Sequence, residues 1–219
     1  MEESSRGILS GYPTVDKITG GWKNGELIIV TGRPGTGKTT FAMNIALKTA
    51  NVQKVPVAYF SLEQNLNDLP IASSRIPELL CIDDTPHISV SDIQDRINYL
   101  VNASKARLII VDYLELIDGP IELRGNRKTE VCHIVHKLKE SAREQNIPII
   151  VISQLPRESF FQCIYASSIF GVSDSIYSIA DSVIIIHREH YVTSEYGLHP
   201  TLLFIAKQSS NQTGIVTFL

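Results

Sequence analysis

Apolar positions along the chain cluster in short runs, and most of these runs do not alternate. The β-favouring segments are Glu26–Thr31 (ELIIVT), Val55–Ser61 (VPVAYFS), Glu78–Asp83 (ELLCID) and Arg107–Leu114 (RLIIVDYL). They continue with Ile147–Ser153 (IPIIVIS), Ser182–Arg188 (SVIIIHR), Thr201–Lys207 (TLLFIAK) and a short final GIVTFL. Several are apolar at every position. Strands buried on both faces of a parallel sheet read this way, because neither face of the strand meets water.

Between the runs the spacing changes to that of helices. One helix follows the first strand. A second is expected over Val90–Asn102, where Ser89 and Asp92 give an N-terminal cap signal. A third is expected over Thr129–Gln145, with Val131, Ile134, Val135, Leu138 and Ala142 as its buried stripe. Its KxKE and RE groups are expected to face water. His133 and His136 lie on the same helix without an H-E-x-x-H pattern and read as surface residues. Asp118–Lys128 is a polar loop, Gln154–Ser175 a long connection of weak periodicity, and REHYVTSEYGLHP a hairpin connection. There are no repeats. The expectation is one α/β domain over residues 1–219, a mostly parallel twisted sheet flanked by helices.

The junction of the first strand and helix carries the chemistry. Gly32, Gly37, Lys38 and Thr39 fit G-x-x-x-x-G-K-[ST], the phosphate loop of nucleoside-triphosphate-binding proteins. A bare Gly-rich turn is only a turn; the full pattern between a strand and a helix is far more specific. A polyphosphate needs backbone N–H groups aimed from a tight curve, and glycine permits that curve. The helix start turns its positive dipole end to the anion. The residues expected to cradle it are Gly32, Arg33, Pro34, Gly35, Thr36, Gly37, Lys38, Thr39 and Thr40. Lys38 supplies charge for the β- and γ-phosphates, and the Thr39 hydroxyl is the expected magnesium ligand.

Composition narrows the partners. A net charge of −3 and a pI near 6.1 show no global basic footprint, so any nucleic-acid contact is local. Cys81, Cys132 and Cys163 form no C-x-x-C pair and read as reduced, mostly buried thiols of a cytoplasmic protein. The polar, acidic start does not read as a signal peptide, and no apolar run approaches a membrane span.

Three further polar residues stand just past strand ends, where ligands of open α/β sheets bind. Asp112 ends LIIV in the Walker B manner and is the expected second magnesium-holding group. Glu63 follows VAYFS and can act as general base on a water, with Glu115 a possible accessory acid. Gln154 ends IVISQ, where an amide can contact a γ-phosphate. Their convergence with Lys38 carries more weight than any one of them.

The motifs occur in a familiar order. SGYPTVDKITGGWKNGELIIVTGRPGTGKTTFAMNIA, FSLE, CIDDTPHISVSDIQ, LIIVDYLELI, LKESAREQNIPIIVISQLPRE, ADSVIIIHRE and AKQSSNQTGIV together resemble the ATPase domain of DnaB-type replicative helicases over nearly the whole chain. The resemblance implies a RecA-like core, ATP and magnesium as cofactors, and a ring, a hexamer in the family, with each nucleotide at a subunit interface. It implies that Glu63 activates water, Gln154 senses the γ-phosphate, and single-stranded DNA is a partner.

Departures from the family matter equally. The amino-terminal primase-interacting domain is not in this sequence. The segment between FSLE and CIDDTP is much shorter. The family's K-x-R pair reads KQS, so Lys207 is kept while Ser209 stands at the arginine-finger position. The connection after Gln154 is poor in basic residues. A slow ATPase is therefore expected, unless Lys207 alone serves across the interface. Arg124, Arg127, Lys128 and Arg157 are the local cations available for DNA. The competing reading is a RecA-fold module that binds ATP and acts on a protein partner as a regulator or loader, without unwinding. A phosphate-loop kinase fits less well, since Glu63 and Gln154 would have no work.

Overall fold

The computed structural model describes residues 7–69, 76–154, 174–188, 201–209 and 212–218. The continuous apolar runs become strands β1 (Leu27–Gly32), β2 (Val57–Ser61) and β3 (Leu80–Asp83). Next come β4 (Ile88–Ser89), β5 (Leu108–Asp112), β6 (Ile117–Asp118) and β7 (Ile149–Gln154), then β8 (Ser182–Arg188), β9 (Thr201–Lys207) and β10 (Gly214–Phe218). Eight of them form one sheet in the order β10-β9-β8-β1-β7-β5-β2-β3, and β4 pairs with β6 in a small separate ladder. From β8 to β3 every pairing is parallel; β9 and β10 add an antiparallel edge.

Helices α1 (Pro13–Thr19), α2 (Lys38–Asn51), α3 (Val90–Ala103), α4 (Arg127–Gln145) and α5 (Asp174–Ile179) cover the sheet. Side chains of a strand alternate between faces. Ile28, Val30, Tyr59, Ile110 and Ile150 accordingly meet Phe41 and Ile45 of α2 on one side. Leu27, Ile29, Phe60, Ile109 and Val151 meet Ile93 and Ile97 of α3 and Ile134 and Leu138 of α4 on the other. All residues of β1, β2 and β5 are buried, which is why these strands carry no polar stripe. This is the RecA-like α/β arrangement, with helices on both faces of a mostly parallel sheet.

The expected cap is present: Ser89 Oγ accepts from the Asp92 N–H at 3.1 Å. α4 begins earlier than its periodicity predicts, at Arg127, because the Asn126 side chain accepts the Thr129 N–H. It ends at Asn146, which is left-handed at φ 52°.

Several expectations are corrected. Lys139 of the KxKE group does not face water; it is buried, and its ammonium reaches the Gly25 carbonyl at 2.7 Å and the Asp181 carboxylate. Val131 is only half-buried, though it packs against the same core as Ile134. Cys81 is exposed, not buried, and Cys163 lies outside the described residues. α1 was not anticipated, although Pro13 at its first turn and Gly20 just past its end are the usual signals of a short helix. The hairpin connection proper lies outside the described residues, but β8 and β9 do pair antiparallel. No helix among the described residues is long and apolar enough to cross a membrane.

Candidate nucleotide site

Register brings the predicted residues together at the carboxyl ends of the parallel strands. Gly32, the last residue of β1, sits beside Gln154, the last of β7. Asp112, the last of β5, sits beside Ser61 at the end of β2 and Ile152 of β7. Between β1 and α2 lies the phosphate loop. A Cβ on Gly32 would meet the Ile186 carbonyl oxygen at 2.4 Å and the Thr36 hydroxyl at 3.0 Å, so only glycine allows β1 and β8 to approach here. Gly37 caps α2 at φ 91°, a left-handed value that turns the chain into the helix. The first amides of α2 then have no intrahelical partner and face the loop's concavity.

Lys38 is 7% exposed, and its ammonium donates to the Arg33 carbonyl at 2.8 Å. The Thr36 hydroxyl donates to the same carbonyl at 2.9 Å, which closes the loop upon itself. Burial pushes the Lys38 pKa down from the usual lysine value, and the Asp112, Glu115 and Glu63 carboxylates oppose this. These carboxylates are the ones strand ends suggested, and all three act on one ammonium.

Asp112 is 3% exposed. Its Oδ2 accepts from the Tyr59 hydroxyl at 2.7 Å, while Oδ1 has no hydrogen-bond partner. Burial pushes its pKa up, against the Tyr59 and Thr39 hydroxyls and the Lys38 ammonium. Tyr59, fully buried beside this carboxylate, has its own pKa pushed well up by burial and by Asp112. The Asp112–Tyr113 peptide bond is cis.

Glu115 lies in a single 3-10 turn, Leu114–Leu116. Its Oε1 accepts from the Ser153 hydroxyl at 2.5 Å and the Gln154 N–H at 3.0 Å, and its Oε2 has no partner. Burial raises its pKa, opposed by those hydrogen bonds. The carboxylate thus ties the end of β5 to the end of β7. Glu63 is exposed, two residues beyond β2, and acts on Lys38 only through its field.

Lys207 is not at this edge. It pairs with Val183 at the amino-terminal end of β8, whereas the loop lies beside Ile186. Its ammonium donates to the carbonyls of Tyr177, Ser178 and Ala180 at 2.6, 3.1 and 2.5 Å, around the end of α5. Ser209 is there too, with its hydroxyl on Glu26, just before β1. Of the cations considered for DNA, Arg124 and Lys128 are exposed. Arg127 is bound to Glu130 at 2.8 Å and to the Glu115 carbonyl at 2.8 Å. Arg157 lies outside the described residues.

The site suits the groups its motif implies. Asp112 Oδ1 is a buried oxygen with no well-formed hydrogen bond, the Thr39 hydroxyl lies close enough to act on the carboxylate, and oxygen ligands of this kind are what magnesium takes. The loop's amides and Lys38 suit a polyphosphate. Sequence reasoning missed Tyr59 and Ser153 as members of the site. For Tyr59 a signal existed, since a phenol on an all-buried strand needs a partner for its hydroxyl.

The sequence model of the DnaB-like helicase C terminal domain matches residues 7–76 and 65–219 of this chain. The two matches overlap in the segment expected to be shortened. The replicative DNA helicase DnaC of Bacillus subtilis (strain 168) is 33% identical over 244 aligned residues, covering 96% of this chain and 54% of its own length. The replicative DNA helicase DnaB of Geobacillus stearothermophilus is 34% identical over 243, covering 96% of this chain and 54% of itself. Both alignments are longer than the 219 residues of this chain, so the chain carries deletions relative to them. It spans about half the length of these relatives. Among solved structures, a DnaB-like replicative helicase described with its primase interactions superposes with a TM-score of 0.79 at 22% identity, over 96% of this chain and 59% of that one.

Proposed function

This chain belongs to the DnaB-like helicase C-terminal domain family, and we propose that it is the ATP-hydrolysing motor domain of a replicative-type DNA helicase. The observation that carries the reading is the convergence of Lys38, Asp112, Glu115 and Gln154 at the phosphate-loop edge of the sheet. The curated relatives are named as replicative DNA helicases.

In this reading Gly32–Thr40 hold the triphosphate, and Lys38 exchanges the Arg33 carbonyl for phosphate oxygens. Thr39 and Asp112 Oδ1 would hold magnesium, which would neutralise charge on the triphosphate. Glu63 takes a proton from the attacking water. Gln154 contacts the γ-phosphate, and its backbone link to Glu115 ties that contact to the end of β5. Lys207 lies near the opposite ends of the strands, which supports a role only toward a neighbouring subunit's nucleotide, in a ring. Ser209 brings no charge to that interface, so basal hydrolysis is slow. Single-stranded DNA is the proposed polymer substrate, reached by local cations such as Arg124 and Lys128 in a chain of net negative charge.

The test is hydrolysis of ATP with and without single-stranded DNA, paired with native mass in the presence of ATP. Stimulation by DNA in a ring-sized assembly supports the motor. Magnesium-dependent hydrolysis without any response to DNA, at low salt, points to the module that acts on a protein partner.

A further inference from the structure

We infer that Tyr59 is a positioning residue for the magnesium site, holding one oxygen of Asp112 so that the other is presented to the cation. The inference rests on the proposed magnesium-ATP site and adds to it a residue that neither the motif nor the strand-end rule identifies.

Tyr59 lies in the middle of β2 and is fully buried against the α2 face of the sheet. β2 and β5 pair in parallel, and Tyr59 sits beside Ile110, two residues before Asp112. The phenol therefore extends along the sheet toward the carboxyl ends of the strands and meets Asp112 Oδ2 at 2.7 Å. A carboxylate can rotate about its Cβ–Cγ bond, and a buried hydroxyl on one oxygen removes that freedom. The remaining oxygen, Oδ1, is buried and without a hydrogen-bond partner. One oxygen of the pair is held by Tyr59, and the other, with no well-formed hydrogen bond of its own, stands on a carboxylate that the Thr39 hydroxyl also approaches. This is how an outer hydrogen bond orients a metal-binding carboxylate.

A phenylalanine at 59 would fill the same space. The hydroxyl is the only part of the side chain that hydrophobic packing does not explain. Its removal leaves Oδ2 without a donor, and Oδ2 then competes with Oδ1 for the cation and for Lys38. The result is a carboxylate still present but free to turn.

The test is Tyr59→Phe in the full chain, with magnesium titrated in the presence of a non-hydrolysable ATP analogue. The readout is the magnesium concentration at half-maximal thermal stabilisation. Removing such an outer-shell partner lowers metal affinity by about 10–100-fold. We expect a shift of that size in the magnesium midpoint, with nucleotide affinity in EDTA unchanged. Ile97→Val, a core trim on the opposite face, controls for general loss of stability and leaves the midpoint in place. An unshifted midpoint in a folded Tyr59→Phe protein overturns the inference. Absence of any magnesium-dependent stabilisation in the parent protein would instead overturn the nucleotide-site reading. If Tyr59→Phe does not fold, the parent protein labelled with 13C at the tyrosine ζ position decides. The Tyr59 resonance moves when magnesium is added to the nucleotide-bound protein, and an unmoved resonance rejects the inference.

Discussion

At the carboxyl ends of the parallel strands, Asp112 and Glu115 each keep one buried carboxylate oxygen without a partner, and Lys38 is held by a carbonyl of its own loop. At the amino ends of the same sheet, Lys139 bonds Asp181 and the Gly25 carbonyl, and Asp181 also takes the Leu27 N–H at 2.7 Å. Lys207 caps α5 there with three carbonyls, and Ser209 meets Glu26. Both regions bury charge at strand ends of one sheet. In one the charges satisfy one another and fasten helices α4 and α5 to the sheet. In the other, Asp112 and Glu115 each keep an unpartnered oxygen, and burial disfavours the charged forms of both and of Lys38; burial also disfavours charge on Lys207 at the far edge, but there three carbonyls hold the ammonium. Unsatisfied buried charge is costly to a fold. Its concentration at one edge marks where outside groups complete the set. The general expectation is that charges at the loop edge serve ligand and rate, while those at the far edge serve stability.

The largest effect should come from Glu63. It is exposed and makes no contribution to the core, so Glu63→Gln should leave the fold and nucleotide binding intact. Hydrolysis should fall by about 10²–10⁴-fold, as when a general base is removed. Single-turnover kinetics beside equilibrium binding of ATP would show this. Hydrolysis at the parent rate would move the base to another carboxylate, Glu115 first.

Next in size is a pair of substitutions that should behave oppositely. Lys139→Met breaks a buried ion pair and leaves Asp181, whose side chain is 24% exposed, with the Leu27 N–H. The expected loss is about 3 kcal/mol of stability, with nucleotide affinity per folded molecule unchanged. Urea unfolding and ATP binding measured together would test it. Lys38→Ala should do the reverse. It should weaken ATP binding by about 10²-fold, since a buried polyphosphate loses a charge-assisted partner. Without nucleotide the variant should be no less stable than the parent, because burial already disfavours that ammonium. If Lys38→Ala unfolds the apo protein, the loop edge is as structural as the far edge and the contrast fails.

The strands and the loop-edge residues were legible from sequence because both are local signals. A strand buried on both faces writes itself as a continuous apolar run, and the phosphate loop is contiguous from Gly32 to Thr39. Asp112 and Gln154 could be placed because the end of an apolar run marks the end of a strand. The far edge was not legible. Lys139 lies among charged residues of α4, and its partner Asp181 is 42 residues away, so periodicity assigned it to water. Tyr59 was hidden for the same reason, since its partner is 53 residues off and its ring reads as ordinary core. Pairing between distant polar groups leaves no trace in spacing, and that is where sequence reasoning stopped.

The smallest expected effect sharpens the comparison without removing any ligand. Burial, only partly offset by Ser153 and the Gln154 N–H, raises the folded-state pKa of Glu115 above its unfolded value. A group raised in this way binds more protons folded than unfolded between the two values. Stability therefore falls as pH rises through that window. Below the unfolded value both states are protonated and the penalty disappears. Glu115→Gln carries no titration, so its stability relative to the parent should improve as pH rises from below about 4.3 through the folded value, and then level off. Apo protein in EDTA, unfolded by urea at a series of pH values, would give the difference curve. Glu130 provides the opposite case within the same protein. Its pKa is lowered by Arg127 and the Gly119 N–H, so Glu130→Gln should lose ground to the parent as pH rises from acid to neutral. Two curves of opposite slope would separate a carboxylate the fold keeps short of partners from one that it uses. A flat curve for Glu115→Gln would mean that Ser153 and Gln154 fully compensate its burial, leaving Asp112 and Lys38 as the charges this edge holds in reserve for a ligand.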